Sequence, residues 1–227
     1  MLIREWMAKD VLTVDENASV MRATRIMKEN NVRRLPVLSH GKLVGIITDR
    51  DLKDASPSKT SSLDIHEMYY LLSEMKVKEV MTPNPLCMKE EESLEKAAVV
   101  MLENRISGIL VTDDTGHLAG LLSETDVMLA FIHSTGIKDG TFQYVFNLAD
   151  QAGSVTKVVT ILRSHQARII SILTSFGGTQ EGMKQVSIRV DTPADKIEAL
   201  HKDLEEHFEI IYYGRDDLTN LPKKNQR

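Results

Sequence analysis

GIITDRDL at residues 45–52 and GLLSETDV at residues 120–127 are two versions of one pattern. Each contains a glycine, an apolar pair, a hydroxyl residue and an aspartate three positions after the hydroxyl. Outward from them, residues 7–14 align with residues 81–88 at an offset of 74, which becomes 75 after one additional residue near DDTG. The chain therefore contains one unit twice, and the change of offset falls where a turn is expected.

Each copy has the same predicted order of elements. Apolar residues at i, i+3 and i+7 predict one helix in each copy, formed by Val20, Ala23 and Met27 in the first and by Leu94, Ala97 and Met101 in the second. Short apolar runs on both sides of SHGK and DDTG predict a strand, a turn and a second strand. Because neither copy is large enough to cover a small sheet, we expect the two copies to pack on each other.

The copies occupy residues 1–60 and 77–135, and residues 61–76 are predicted to form a helical linker between them. The linker has apolar residues on one side at helical spacing, namely Ile65, Met68, Leu72 and Met75. This stripe favours a packing surface over the alternative, a cofactor-binding segment.

Composition and charge argue against several classes of protein. The 227 residues have a formal net charge of −5, which is not typical of a nonspecific nucleic-acid binder. No apolar run approaches the roughly 18 residues of a membrane span, and no charged and then apolar leader opens the chain. We therefore expect a cytoplasmic protein without nucleic-acid or membrane partners. The single cysteine, Cys87, lies in the apolar context PLCM and is predicted to be an inert core thiol.

The repeated pattern has two possible chemical roles. A strand followed by a helix would place the Thr48 hydroxyl, free backbone N–H groups and Asp51 in one cleft, and likewise Ser123 and Asp126. Hydroxyl and N–H groups suit phosphate oxygens, and a carboxylate suits the two hydroxyls of a ribose, so a ribonucleotide fits. The alternative is a helix capping box, in which the same groups satisfy unpaired amides. The two roles can coexist.

The copies differ in charge around the pattern. The first has Arg33, Arg34 and Arg50 where the second has Ser107, Gly108 and Thr125. We expect the first site to take the more phosphorylated ligand. The alternatives are that these arginines are solvated or that they reach into the other site.

Residues 1–135 resemble a tandem CBS (cystathionine-β-synthase) domain pair, or Bateman module. The resemblance rests on the methionine-led opening of each copy, on RRLPV, and on G-h-h-(T/S)-x-x-D in both copies, where h is apolar. It implies AMP, ADP, ATP, S-adenosylmethionine or NAD as a regulatory ligand, with the hydroxyl at phosphate, the aspartate at ribose and the opening strand against adenine. The implied nucleotide-binding residues are Leu12, Thr13, Val14, Arg34, Thr48, Arg50, Asp51, Leu86, Cys87, Met88, Ser123 and Asp126.

Residues 140–214 match neither copy. Alternating Phe142, Tyr144, Phe146 and Leu148 predict a half-buried strand, and the whole segment has the order βαββαβ. With D-x-x-G-x-V at residues 150–155, the segment resembles an ACT domain, a family that often binds amino acids between two subunits. The implied amino-acid-binding residues are Asp150, Gly153, Ser154 and Val155. The alternative is that Asp150 caps the helix and Gly153 eases its packing.

The expected fold class is mixed α+β: two CBS domains, a ferredoxin-like βαββαβ domain, and a flexible tail at residues 215–227. This order resembles the acetoin-utilisation AcuB type of stand-alone regulator. The resemblance implies a ligand-sensing protein that modulates an unidentified partner and forms a homodimer. A scaffold protein with unoccupied ligand sites is the alternative. The sequence has no recognisable catalytic array, phosphate-binding loop of the G-x-x-x-x-G-K-(S/T) kind or metal cluster, so no enzyme is expected.

Overall fold

The computed structural model describes residues 1–55 and 65–222, and only the backbone of residues 65–69. The start of the predicted linker and the end of the predicted tail lie outside the described residues, as do the side chains of Ile65 and Met68. The chain divides into two compact units, Met1–Val127 and Met128–Arg227.

The first copy has the predicted order of strand, helix, strand, turn, strand and helix. Its elements are β1 (Val14–Asp15), α1 (Val20–Glu29), β2 (Arg34–Ser39), β3 (Lys42–Thr48) and α2 (Asp49–Ala55). Helix α1 begins after Ser19, whose Oγ accepts a hydrogen bond from the Arg22 amide at 3.2 Å. The apolar stripe of this helix is buried, which confirms the helix predicted from its spacing. His40 and Gly41 make the turn between the strands with positive φ values of 48° and 80°.

The linker and the second copy follow. Their elements are α3 (Ile65–Glu74), α4 (Val77–Val80), β4 (Thr82–Pro83), β5 (Cys87–Lys89), α5 (Leu94–Asn104), β6 (Gly108–Thr112), β7 (Leu118–Ser123) and α6 (Glu124–Thr135). Ser93 caps α5 as Ser19 caps α1, with its Oγ 3.2 Å from the Lys96 amide. In both copies the first short strand pairs in parallel with the second, which pairs antiparallel with the third. The duplication is therefore present in the topology as well as in the sequence.

The two copies exchange their opening segments. Strand β4 opens the second copy and pairs antiparallel with β3 of the first, with Gly45 opposite Pro83. In the reciprocal position, Ala8 forms a β-bridge with Leu121 of β7. The glycine of each octapeptide lies under the exchanged segment, because a Cβ at Gly120 would lie 2.7 Å from the Ala8 carbonyl oxygen. The expectation that the copies pack on each other is confirmed, and the exchange gives a reason for both glycines.

Part of the linker belongs to the core of the first copy. Leu72 and Met75 pack against the buried cluster that contains Val20, Leu35 and Ile47. The predicted packing surface is confirmed for these two linker residues. None of the helices in the described part of the chain is long and apolar enough to cross a membrane.

The second unit contains one antiparallel sheet with the predicted order βαββαβ. Its elements are β8 (Phe142–Ala149), α7 (Ser154–Ser164), β9 (Arg168–Ser175), β10 (Met183–Asp191), α8 (Ile197–His207) and β11 (Glu209–Gly214). The strand order across the sheet is β11-β8-β10-β9. Tyr144, Phe146 and Leu148 are buried on one face of β8 with apolar residues of both helices, as their alternation predicted. The chain as a whole has a mixed α+β fold.

The first residues of the predicted flexible tail make defined contacts. The Arg215 guanidinium lies 4.6 Å from the centre of the Phe142 ring. Asp216 Oδ2 accepts a hydrogen bond at 2.6 Å from Nη2 of Arg189, a buried residue of β10. The prediction that the tail begins directly after Gly214 is wrong for these residues, because a buried arginine requires a charged partner.

Candidate functional site

A cleft of about 930 Å³ lies in the first unit and is lined by residues of both copies. The hydroxyl residues of the two octapeptides, Thr48 and Ser123, both line it. They come together because β3 and β7 each end at the hydroxyl residue and the next residue begins a helix. The volume lies in the range of small-molecule sites.

In the first copy, the hydroxyl and the aspartate form a reciprocal capping box. The backbone amide and the Oγ1 hydroxyl of Thr48 both donate to Asp51 Oδ2, each at 2.7 Å. The Asp51 amide in turn donates to Thr48 Oγ1 at 3.3 Å. The capping alternative is thus present in the first copy, with an aspartate where the motif normally has a glutamate or glutamine.

The second copy repeats this geometry. The amide and hydroxyl of Ser123 donate to Asp126 Oδ2 at 2.8 and 2.6 Å, and the Asp126 amide donates to Ser123 Oγ at 3.3 Å. In both copies the other carboxylate oxygen, Oδ1, accepts no hydrogen bond from the described residues. The box therefore occupies one oxygen of each carboxylate, and in Asp51, which lines the cleft, it leaves the other oxygen for a ligand.

The structure brings seven of the twelve predicted nucleotide-binding residues to the cleft. These are Leu12, Arg34, Thr48, Arg50, Asp51, Leu86 and Ser123. Five others are not part of the cleft lining: Thr13, Val14, Cys87, Met88 and Asp126. Val14 and Met88 are buried, because successive residues of a strand point to opposite faces and these two face the core. Leu12 and Leu86, two residues earlier in the same segments, are large apolar residues that are 42% and 49% exposed.

Arg34 does not stay within the first copy. Its Nη2 donates to Ser107 Oγ of the second copy at 2.8 Å. The guanidinium also fills the space beside Gly108, since a Cβ on that glycine would overlap Nη1. Burial lowers the pKa of the Arg34 guanidinium, and the carboxylates of Glu124, Asp49 and Asp126 oppose that shift. For Arg34 the structure supports the alternative that an arginine of the first copy reaches the other site.

Sequence reasoning missed further lining residues that the duplication could have identified. Asn31 and Arg105 are equivalent positions, each has a positive φ just after a helix, and both line the cleft. Asp10 and Asn84 are another equivalent pair in the lining. Searching the two copies for polar residues at the same offset would have found all four.

Cys87 is exposed, so the predicted core position of this thiol is wrong. Its neighbour Met88 takes the buried position of β5. The Cys87 Sγ lies 3.4 Å from the Pro85 carbonyl oxygen. Partial burial nevertheless raises the pKa of the thiol, which the charge of Lys89 opposes, so the neutral form is favoured.

The residues predicted to bind an amino acid lie around the start of α7 in the second unit. Asp150 Oδ1 is 3.2 Å from the Lys184 ammonium on β10. Helix α7 begins after Gly153 without a side-chain cap, so the alternative that Asp150 caps this helix is not supported. Gly153 precedes the helix with a φ of 82°, and no atom lies within 4 Å of the place for its Cβ. The glycine is therefore needed for its backbone conformation and not for close packing. Ser154 is buried and its Oγ has no hydrogen-bond partner among the described residues, and Val155 packs on the core.

The described residues contain no group of three or more His, Cys, Asp or Glu side chains that could hold a metal ion.

Comparison with known proteins identifies the repeated unit. The CBS domain family matches residues 3–58 and 77–133. A CBS domain-containing protein of Dictyostelium discoideum is 30% identical over 128 residues, which are 56% of this chain and 88% of that protein. The L-aspartate semialdehyde sulfurtransferase of Methanocaldococcus jannaschii is 30% identical over 131 residues, which are 57% of this chain and 23% of that enzyme.

Among solved structures, the AMP complex of CBSX2, a CBS-pair protein of Arabidopsis thaliana, has a TM-score of 0.48 and 30% identity. That likeness covers 58% of this chain and 96% of the other. The matched part of the chain corresponds to 88% of the Dictyostelium protein and to less than a quarter of the sulfurtransferase. The chain therefore belongs to the CBS domain family and carries two CBS domains in tandem, as a Bateman module.

Proposed function

We propose that the chain is a non-catalytic regulator that binds an adenine nucleotide in the cleft of its first unit. The observation that carries this proposal is the cleft, which places two hydroxyl residues, a half-buried arginine and two exposed leucines around one space. A nucleotide requires both hydrogen-bond donors for its phosphate and apolar contacts for its base. The cleft supplies apolar contacts from the equivalent Leu12 and Leu86, and a hydrogen-bond donor from Arg34 of the first copy.

The apolar contacts come from the opening segments. Leu12 and Leu86 are equivalent residues that expose large apolar side chains inside the cleft. Covering such side chains with a planar base removes apolar surface from water, which stabilises the complex by roughly 25 cal/mol per Å² buried. The nearby residues Val14 and Met88 are buried in the core. They fix the positions of the two strands and do not contact the base.

The polar contacts come from the capping boxes. Thr48 Oγ1 donates to Asp51 and accepts from the Asp51 amide, which leaves one lone pair for a ligand donor. Asp51 Oδ1 is available for the hydroxyls of a ribose. The helix capping box and the ribonucleotide site are therefore compatible in the first copy; in the second copy Ser123 lines the cleft and Asp126 does not.

The proposed role is regulation of an unidentified protein partner. A ligand that binds one arrangement of the CBS pair better than another shifts the population that a partner meets. The resemblance to the AcuB type of regulator suggests acetoin breakdown as the metabolic context. The alternative function is a scaffold whose clefts stay empty, and ligand binding separates the two.

The test is a thermal-shift and calorimetric screen of the full chain with AMP, ADP, ATP, S-adenosylmethionine and NAD. AMP is the first probe, since it is the ligand in the CBSX2 structure. A ligand at a hundredfold excess over its Kd stabilises the folded state by roughly 2.7 kcal/mol. Asp51→Ala and Asp126→Ala should each remove one binding step. Each shift is measured against the same variant without ligand, which separates loss of the cap from loss of binding. A screen without any binding would favour the scaffold.

For the second unit, we propose an ACT-like domain that binds an amino acid at the start of α7. The observation in its favour is the buried Ser154 hydroxyl without a partner among the described residues, in the first turn of α7, where the positive end of a helix favours an anion. These groups suit a carboxylate, and Asp150 suits an ammonium group once Lys184 is displaced. Ser154→Ala should abolish calorimetric binding of the amino acid without loss of AMP binding. Failure of all twenty amino acids to bind would leave this unit as a structural domain.

We also propose that the chain is a homodimer. Leu102 and Val99 on α5 are 76% and 52% exposed, which is unusual for two large apolar residues on one helix. In the second unit, the edge strand β9 exposes Ile172 and Leu173. Sedimentation velocity at micromolar concentration should show a dimer, and a monomer would contradict the proposal.

A further inference from the structure

Arg34 and Gly108 occupy the same position of the repeat. Arg34 begins β2 and lies opposite Thr48, and Gly108 begins β6 and lies opposite Ser123. The structure places these two equivalent residues in contact, with the Arg34 guanidinium in the space that a side chain on Gly108 would fill. In a duplicated fold, equivalent residues of the two copies can touch each other only near the axis that relates the copies.

The two copies are related by an approximate two-fold arrangement. Met7 and Ala8 of the first copy pack on Gly120 of the second, and the equivalent Met81 and Thr82 pack on Gly45 of the first. Reciprocal contacts of this kind define a two-fold axis, on which equivalent residues meet. The Arg34–Gly108 contact therefore lies near the axis: the Arg34 backbone is paired opposite Thr48, and its guanidinium reaches Gly108, which is paired opposite Ser123.

Only one guanidinium fits at this place. A second arginine at position 108 would occupy the volume that Arg34 fills, and glycine is the residue that leaves it open. Ser107 then fixes the guanidinium through the bond to its Oγ at 2.8 Å. Because the first copy has arginine and the second has glycine at this position, one cation lies between the copies. An exact repeat would have placed two arginines there.

The charges around this cation come from both copies. Asp49 belongs to the first copy, and Glu124 and Asp126 belong to the second, and all three interact electrostatically with Arg34. The other arginines of the cleft, namely Arg33, Arg50 and Arg105, are exposed, whereas Arg34 is half-buried. Water and salt screen a half-buried charge less than an exposed one, so Arg34 acts most strongly on an anion in the cleft.

We propose that Arg34 is the phosphate-binding residue of both sites, and that it can serve only one of them fully at a time. This inference rests on the proposed nucleotide binding in the cleft. The first phosphorylated ligand to bind forms the contact between its phosphate and the Arg34 guanidinium, whichever site it occupies. The second ligand binds without this contact. The affinity for an unphosphorylated nucleoside does not depend on Arg34. The two sites would then be coupled through one side chain.

The test compares AMP with adenosine by isothermal titration calorimetry on the full chain. Arg34→Met removes the cation and retains an apolar stem of similar length. Arg25→Met is the matched control, because it removes one positive charge from an exposed ion pair on α1 outside the cleft. Both arginine variants are also made in the Asp51→Ala and Asp126→Ala backgrounds, in which one site remains.

In the two-site chain, Arg34→Met should weaken the first AMP step at least about tenfold and the second step less than about threefold. In each single-site background, it should weaken AMP at least about tenfold, since either site alone has full use of the arginine. Adenosine affinity should change less than about twofold throughout, and Arg25→Met should behave as the parent chain in every titration.

Three other outcomes overturn the inference. If Arg34→Met weakens AMP in one single-site background only, Arg34 belongs to one site. If both steps of the two-site chain weaken equally, the arginine serves two phosphates together. If AMP affinity is unchanged, Arg34 does not bind phosphate. A parent chain that binds neither AMP nor adenosine contradicts the proposed function itself, which is a different result from these three.

Discussion

Gly120→Ala tests whether the exchanged opening segment holds the CBS pair together. An alanine Cβ at this position would lie 2.6 Å from Met7 Sδ and 2.7 Å from the Ala8 carbonyl oxygen. The methionine can move, but the carbonyl is backbone and accepts the Leu121 amide at 3.0 Å. The opening segment must therefore shift as a whole, with strain on both hydrogen bonds between Ala8 and Leu121.

The expected cost follows from these contacts. Overpacking of a close contact costs about 1–3 kcal/mol, and each weakened backbone hydrogen bond adds up to about 1 kcal/mol. The smaller conformational freedom of alanine in the unfolded chain offsets about 0.4–1 kcal/mol. We expect Gly120→Ala to lower the free energy of unfolding by about 2 kcal/mol. The equivalent Gly45→Ala should cost about 1 kcal/mol or less. Its Cβ overlaps mainly the mobile Met81 thioether, and the Thr82 carbonyl oxygen is 3.1 Å away.

The chain contains a local probe for this measurement. Trp6 is the single tryptophan and precedes Met7 in the opening segment, so its fluorescence reports on the segment that must move. Urea unfolding is followed by Trp6 fluorescence and by far-ultraviolet circular dichroism. Gly177→Ala is the control, because Gly177 has an ordinary φ and its nearest neighbour, Ser175 Oγ, is 3.9 Å from the Cβ position. If Gly120→Ala is as well tolerated as Gly177→Ala, the exchange is not a close-packed contact.

Two further predictions concern the boxes and the thiol. Without ligand, Thr48→Val should lower the free energy of unfolding by about 1 kcal/mol, as loss of a helix cap does, while Thr48→Ser should retain the cap. Equal urea midpoints for the parent chain and both variants would show that the box is not formed. For Cys87, a pKa raised by burial keeps the thiol neutral at pH 7, because the raised value favours the protonated form until the pH exceeds it. Alkylation by iodoacetamide should therefore be slower at pH 7 than for an unperturbed thiol and should still increase above pH 9, and a rate that levels off below pH 8 would contradict the burial.

Local patterns predicted most of the secondary structure. The i, i+3 and i+7 spacing of Val20, Ala23 and Met27 predicted a helix, and their side chains are the buried face of α1. The alternation from Phe142 to Leu148 likewise predicted β8, with Tyr144 and Phe146 buried. These predictions succeed because the period of burial is set by the geometry of the element itself.

Contacts between distant segments could not be predicted in the same way. The alignment of Arg34 with Gly108 was visible in the sequence, but their mutual contact depends on how the two copies pack. The composition of residues 215–227 predicts a flexible tail, but composition does not show that the buried Arg189 pairs with Asp216. In each case the missing information was a long-range charge or backbone contact, and such contacts leave no periodic signal.

The exchange of opening segments links ligand binding in the cleft to the packing of the two CBS domains on each other. Ala8 and Leu12 line the cleft, yet Ala8 is held by the Leu121 strand of the second copy. A ligand that contacts Leu12, Thr48 or Arg34 is therefore bound by residues whose positions depend on both copies. Since such a ligand binds only the paired arrangement, its binding free energy adds to the stability of the pair. Weakening the pairing by Gly120→Ala should accordingly weaken the proposed nucleotide binding, even though Gly120 itself lies outside the cleft lining.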